Sequence, residues 1–134
     1  MTAFKILSFM LIASVAFSCQ VGEAPAFDTK KLTGRWELTK AWRNHRPTET
    51  LTGTFYEFLQ DGLMKTNLVL DGSNGEYPFV VSGSKIIQKS KPDEVVFTVV
   101  AFSDTLLTLE MVMKNYPFKL VLHKVEQEAE FNAQ

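Results

Sequence analysis

Eight short runs rich in apolar residues, each bounded by turn formers, constrain the fold of this chain more than anything else in it. They cover residues 32–42, 52–59, 63–70, 76–81, 85–90, 95–102, 105–114 and 117–125. Strands of this length at this spacing predict an all-β sandwich or barrel. Within the runs, apolar and polar positions alternate. Met64, Thr66, Leu68 and Leu70 oppose Lys65 and Asn67, while Phe118, Leu120 and Leu122 oppose Lys119 and His123, the pattern of strands with one buried face. The links are of two kinds. Gln60-Asp61-Gly62, Ser82-Gly83-Ser84 and Ser103-Asp104 are tight hairpin connections. They alternate with 43–51, 71–75, 91–94 and the Asn115-Tyr116 corner, which are mostly longer. An eight-stranded antiparallel up-and-down barrel gathers all the tight links at one end, leaving a closed floor and a mouth. Closure also removes the sheet edges that invite aggregation.

The first residues belong to a different kind of segment. Lys5 precedes an uncharged apolar run, 6–17, that is too short to span a bilayer and reads as a secretory signal. Cys19, the single cysteine, follows at once and rules out an intrachain disulfide. The stretch Ala16-Phe17-Ser18-Cys19 resembles the lipobox of bacterial lipoproteins. Its Ala16, where Leu is usual, and its bulky Phe17 are similar to the looser form in Bacteroidetes lipoproteins. That resemblance implies lipidation of Cys19 as the mature N-terminus, and a place in the cell envelope, lipid-anchored to the outer membrane on its periplasmic side or at the cell surface. The residues alone also permit plain cleavage after the small-x-small triplet Ala16-Phe17-Ser18.

The expected organisation is a signal peptide at 1–18, a lipidated cysteine and tether at 19–29, a barrel at 30–125 and an acidic tail at 126–134. Gly22 and Pro25 discourage regular structure in the tether, and Asp28 is placed to cap one helical turn in "FDTKKL". Without the signal peptide, which contains only Lys5, 13 basic residues face 15 acidic ones, a formal charge of −2. No basic stripe is present to neutralise phosphates, so nucleic acid is not an expected partner. A membrane-spanning barrel is disfavoured as well, because Arg35, Glu37, Lys65, Lys89, Glu110 and Lys119 have outward parity.

Gly34-x-Trp36 opens the first strand. In an eight-stranded barrel the last strand runs antiparallel beside the first, which brings Lys124 to Trp36 and allows its ammonium to lie over the indole. Gly34, without a Cβ, lets the chain pass close under the floor. Gly34, Trp36 and Lys124 are therefore expected to form a structural plug. Gly34-x-Trp36 after Leu32, with a basic residue closing the last strand, resembles lipocalins. With "TFYEFLQDG", "VVSGSKI" and "DTLLTLEM", the chain is similar to the compact lipocalin-like domains of Bacteroidetes lipoproteins. Lys124 stands where lipocalins usually have Arg.

Small barrels either fill their interior or keep room for one small ligand. The inward candidates Leu38, Trp42, Tyr56, Phe58, Met64, Leu68, Phe79, Ile86, Leu107, Leu109, Met111 and Met113 are mostly large and argue for a small cavity or none. Lys40 shares the parity of Trp36 and Trp42. It is either an anion anchor inside the barrel or a residue turned outward by a β-bulge or by snorkelling. Arg43 and His45, with Arg46, put positive charge on the first mouth loop. Trp42, Tyr77, Tyr116 and Phe118 fall near the same end, and Met111 and Met113 add adaptable surface. No catalytic motif, metal-spaced cluster or cofactor signature is present, and His45 and His123 lie at opposite ends, so an enzyme is not expected. The sequence thus points to an envelope lipoprotein that binds a small hydrophobic or anionic amphiphilic ligand. The alternative is a filled barrel acting as a structural lipoprotein or on another envelope protein.

Overall fold

The structure, a computed structural model, describes residues 23–69 and 72–126. A single helical turn, α1 (Thr29–Leu32), comes first. The Asp28 carboxylate accepts a hydrogen bond from the Lys30 amide at 3.0 Å, the cap expected from the sequence. The strands follow as β1 (Gly34–Arg43), β2 (Arg46–Thr48), β3 (Phe55–Phe58), β4 (Leu63–Thr66), β5 (Glu76–Ser82), β6 (Lys85–Gln88), β7 (Val95–Phe102), β8 (Leu106–Met113) and β9 (Tyr116–Val125). Consecutive strands from β3 to β9 pair antiparallel, β1 pairs with β3, and β9 returns to β1 to close the sheet. The result is a closed eight-stranded antiparallel barrel, with β2 as a short flap on the far half of β1.

Closure is carried by one long seam in which Trp36 pairs with Lys124, Leu38 with Leu122 and Ala41 with Leu120. The register slips between Leu38 and Lys40, so Thr39 is an extra residue, and its hydroxyl donates to the Val121 carbonyl at 3.1 Å. Such a bulge reverses the parity of everything beyond it. Ala41 therefore takes the inward position, Lys40 is exposed, and Trp42 lies half-buried on the outer wall with Lys119 5.5 Å from its ring. Of the two orientations open for Lys40, the outward one holds, and the inward placement of Trp42 is corrected. A second slip in β7, between Val99 and Ala101, leaves Val100 exposed and turns Phe102 back toward the core.

The floor is built as the spacing of Gly34 and Trp36 predicts. Trp36 is fully buried, and its indole nitrogen donates to the Leu32 carbonyl at 2.8 Å. The Lys124 ammonium lies 5.4 Å from the indole ring and donates to the Lys31 carbonyl at 3.1 Å. Gly34 has φ +131°, and a Cβ there would stand 2.9 Å from the Lys124 side chain, so glycine is needed both for the backbone and for the space. Phe27 packs on Phe102, which packs on Trp36, at ring distances of 5.0 and 6.0 Å. The expected tether is not loose over its described part. The Ala26 amide donates to the Gly83 carbonyl at 2.8 Å, and the Gly83 amide to the Glu23 carbonyl at 3.1 Å, tying 23–26 to the β5–β6 turn at the floor.

Above the floor the interior is packed solid by Phe58, Met64, Ile86, Leu107, Leu109, Leu120 and Leu122, all essentially inaccessible to solvent. Tyr56 meets Phe97 edge-on at 5.3 Å, and Phe58 meets Phe79 at 5.2 Å, geometries that favour aromatic pairs. The fourth strand is shorter than the run 63–70. Its pairing with β3 ends at Thr66, whose hydroxyl accepts from the Leu68 amide at 3.0 Å, a local bond that competes with a strand ladder. Leu70 and Asp71 lie outside the described residues. The third strand begins late because Thr52 and Thr54 donate their amides back to Glu49 and Leu51 in successive turns. The Asn67 side chain then bridges the gap, accepting from the Phe55 amide and donating to the Gly53 carbonyl at 2.9 and 2.8 Å.

Candidate ligand-binding site

The mouth is shaped by how its links depart from simple loops. Asn44 and His45, like Lys114 and Asn115, both have positive φ. Each pair forms a two-residue turn of the kind that matches strand twist in hairpins. The first mouth loop is consequently a hairpin, β1 into β2, followed by a segment that folds back to bury Leu51 in the core. One side of the mouth is filled by this leucine. The other side stays open.

The open side is a pocket of about 470 Å³ between the ends of β3–β8, with Tyr56 and Phe97 at its base and Leu68, Tyr77, Gln88, Met111 and Met113 on its walls. Residues 91–95 and Lys114-Asn115 make its rim. The walls are mainly apolar with a few fixed polar groups, the composition of small-molecule sites. Three of those groups are already engaged. The Tyr56 hydroxyl is hydrogen-bonded to Thr66, Ser73 is bonded to the Tyr77 hydroxyl at 2.5 Å, and the Ser90 hydroxyl donates to the Asp93 carbonyl at 2.7 Å.

Of the residues singled out in the sequence, Tyr77, Met111 and Met113 meet in this pocket. Lys40 does not reach it, being exposed on the outer wall. Arg43 lines neither this pocket nor the outer groove, and its guanidinium lies 4.3 Å from the Tyr116 ring. Trp42 and His45 belong elsewhere. They line a groove of about 710 Å³ on the outside of the barrel with Val96, Val112, Pro117 and Lys119, and inward-facing Phe118 contributes to its edge. The groove follows a cross-strand row of outward residues, in which Lys85 pairs with Thr98, Thr98 with Glu110, Glu110 with Lys119 and Lys119 with Trp42.

Sequence reading missed Phe97, Gln88 and Ser90. Gln88 shares the parity of buried Ile86 and was available from alternation. Phe97 was not, because "VVFTVVAF" is apolar on both faces and so carries no inside-outside signal.

Tyr56 is fully buried at the pocket base. Burial pushes its phenol well above the ordinary value, while the bond to Thr66 acts in the opposite sense by less. Below a pH of ~10 both folded and unfolded chains keep this proton. Above it the unfolded chain releases a proton that the folded chain retains, so stability falls as pH rises. In an alkaline absorbance titration, wild type and Tyr56→Phe should coincide while folded and differ by one tyrosinate only after unfolding. An extra ionisation in the folded wild type would show that solvent reaches the phenol.

Comparison of the chain with protein-family models, with curated proteins and with solved structures gave no match.

Proposed function

We propose that the chain is an envelope lipoprotein, acylated at Cys19, whose barrel holds one small hydrophobic molecule in the mouth pocket. Cys19 lies outside the described residues, and the lipobox-like Ala16-Phe17-Ser18-Cys19 supports its acylation. The observation that carries the ligand reading is the pocket itself. A barrel with Trp36 sealing one end and a solid layer above it keeps about 470 Å³ open at the other end, over Tyr56 and Phe97.

The floor contacts add an orientation. Residues 23–26 are bonded to the β5–β6 turn, so the anchor is at most four residues, or ~14 Å of extended chain, from the closed end. The floor then faces the membrane and the mouth faces away. Stable attachment needs more than one acyl chain. With Lys40 outside, no described cation lines the interior, and the anionic-ligand version of the reading loses its inner anchor. Lys91 and Lys114 at the rim are offset by Asp93 and Glu94. A reading as a protein-binding module draws on the outer groove with Trp42, Val96 and Val112.

Titrating the mature chain, made without acyl groups, with the neutral dye Nile red tests the ligand reading. Saturable binding at one site per chain is expected, and Met113→Trp, which fills the pocket from its wall, should weaken it at least tenfold. Undiminished binding in that variant, or loss on Trp42→Ala instead, would move the site to the outer groove.

A further inference from the structure

Among the described residues lining the pocket, Gln88 is the buried polar side chain with nothing to hold. It lies on the inward face of β6, two residues after buried Ile86, opposite Phe79 on one neighbour and Val95 on the other, and is 5% exposed. Its amide has no hydrogen-bond partner among the described residues, and it is not one of the side chains whose partners fall outside them. No fully enclosed side-chain nitrogen or oxygen in the described protein lacks a partner, so the free amide of Gln88 opens on the pocket it lines. The neighbouring hydroxyls of Tyr56, Tyr77 and Ser90 are all engaged. Once a ligand shields this amide from water, leaving it without a partner is costly, and a hydrogen-bonding group in the ligand removes that cost.

We infer that Gln88 selects an uncharged ligand, one that buries an apolar body against Tyr56, Phe97, Met111 and Met113 and presents a hydrogen-bonding group such as an amide or hydroxyl to the Gln88 amide. This inference rests on the ligand reading above and adds a chemical class to it. A primary amide or hydroxyl both donates and accepts, and so satisfies the carbonyl and the NH2 of Gln88 together. A carboxylate only accepts. It would leave the Gln88 carbonyl unpaired and would lose its own hydration beside apolar walls with no inward cation among the described residues to compensate. The rim lysines Lys91 and Lys114 offer a carboxylate a solvated alternative, which makes the comparison a direct contest.

The test displaces Nile red from the mature chain with octanamide or octanoate at pH 8, where the acid is ionised. Octanamide should displace the dye at a concentration at least tenfold lower than octanoate. In Gln88→Leu that preference should fall at least threefold, with an unchanged far-UV circular dichroism spectrum and a cooperative melt as the check on folding, and Gln88→Met, closer in shape, should behave alike. Octanoate displacing as well as octanamide, or an undiminished preference in both variants, would overturn the role of Gln88 while leaving the pocket reading in place. Failure of the wild type to bind Nile red at all would overturn both.

Discussion

Replacing Trp36 with alanine is expected to cost ~3–5 kcal/mol of folding stability, the range for deleting a fully buried aromatic side chain. For a domain of this size that lowers the melting temperature by more than ~10 °C. The loss has two parts. Most of it is the emptied space beneath Phe102, where the indole is wholly enclosed and its nitrogen satisfies the Leu32 carbonyl. The rest is the contact with Lys124, which joins the last strand to the first and reaches on to the Lys31 carbonyl. A double-mutant cycle with Lys124→Met separates the two. Coupling of ~0.5–2 kcal/mol is expected if the ammonium acts through the ring. A cycle that closes to zero would reduce Trp36 to an ordinary core residue.

Cys19→Ala is expected to have the largest cellular effect. The wild-type protein should incorporate an alkyne-tagged fatty acid and fractionate with the outer membrane. The variant should incorporate none and lose that location, because a single weak interfacial contact cannot replace acyl chains buried at ~0.8 kcal/mol per methylene. Its soluble barrel should still bind Nile red, since the floor contacts from Glu23 onward do not involve the anchor. Unchanged labelling and fractionation would refute acylation and, with it, the orientation of the mouth away from the membrane.

The parts of the fold that were legible in the sequence are those fixed by local chemistry. Asp28 announces the cap of α1, Gly62 and Gly83 announce tight turns at the floor, and the alternation in Phe118, Leu120 and Leu122 sets the register of β9. Gly34 and Trp36 were legible because one position needs a missing Cβ and the other a large plug. What was not legible depends on contacts distant in the chain. Nothing in "ELTKAW" marks Thr39 as the residue the seam leaves over. The bulge is set by the pairing of β1 with β9, and it alone moves Lys40 and Trp42 outward. Leu51 was hidden in a polar loop because its burial depends on the fold-back at Thr52 and Thr54. The pocket itself arises from what is missing. Thr66 ends β4 before the barrel reaches its full height, and Leu68 beyond it lines the pocket.

Native mass spectrometry of the protein purified gently from its own host tests the central claim most directly. The predicted spectrum shows the acylated chain carrying one additional small uncharged molecule, an adduct that disappears in Met113→Trp. A spectrum containing only the acylated chain, or an adduct that persists in Met113→Trp, would contradict a ligand held in the mouth of the barrel.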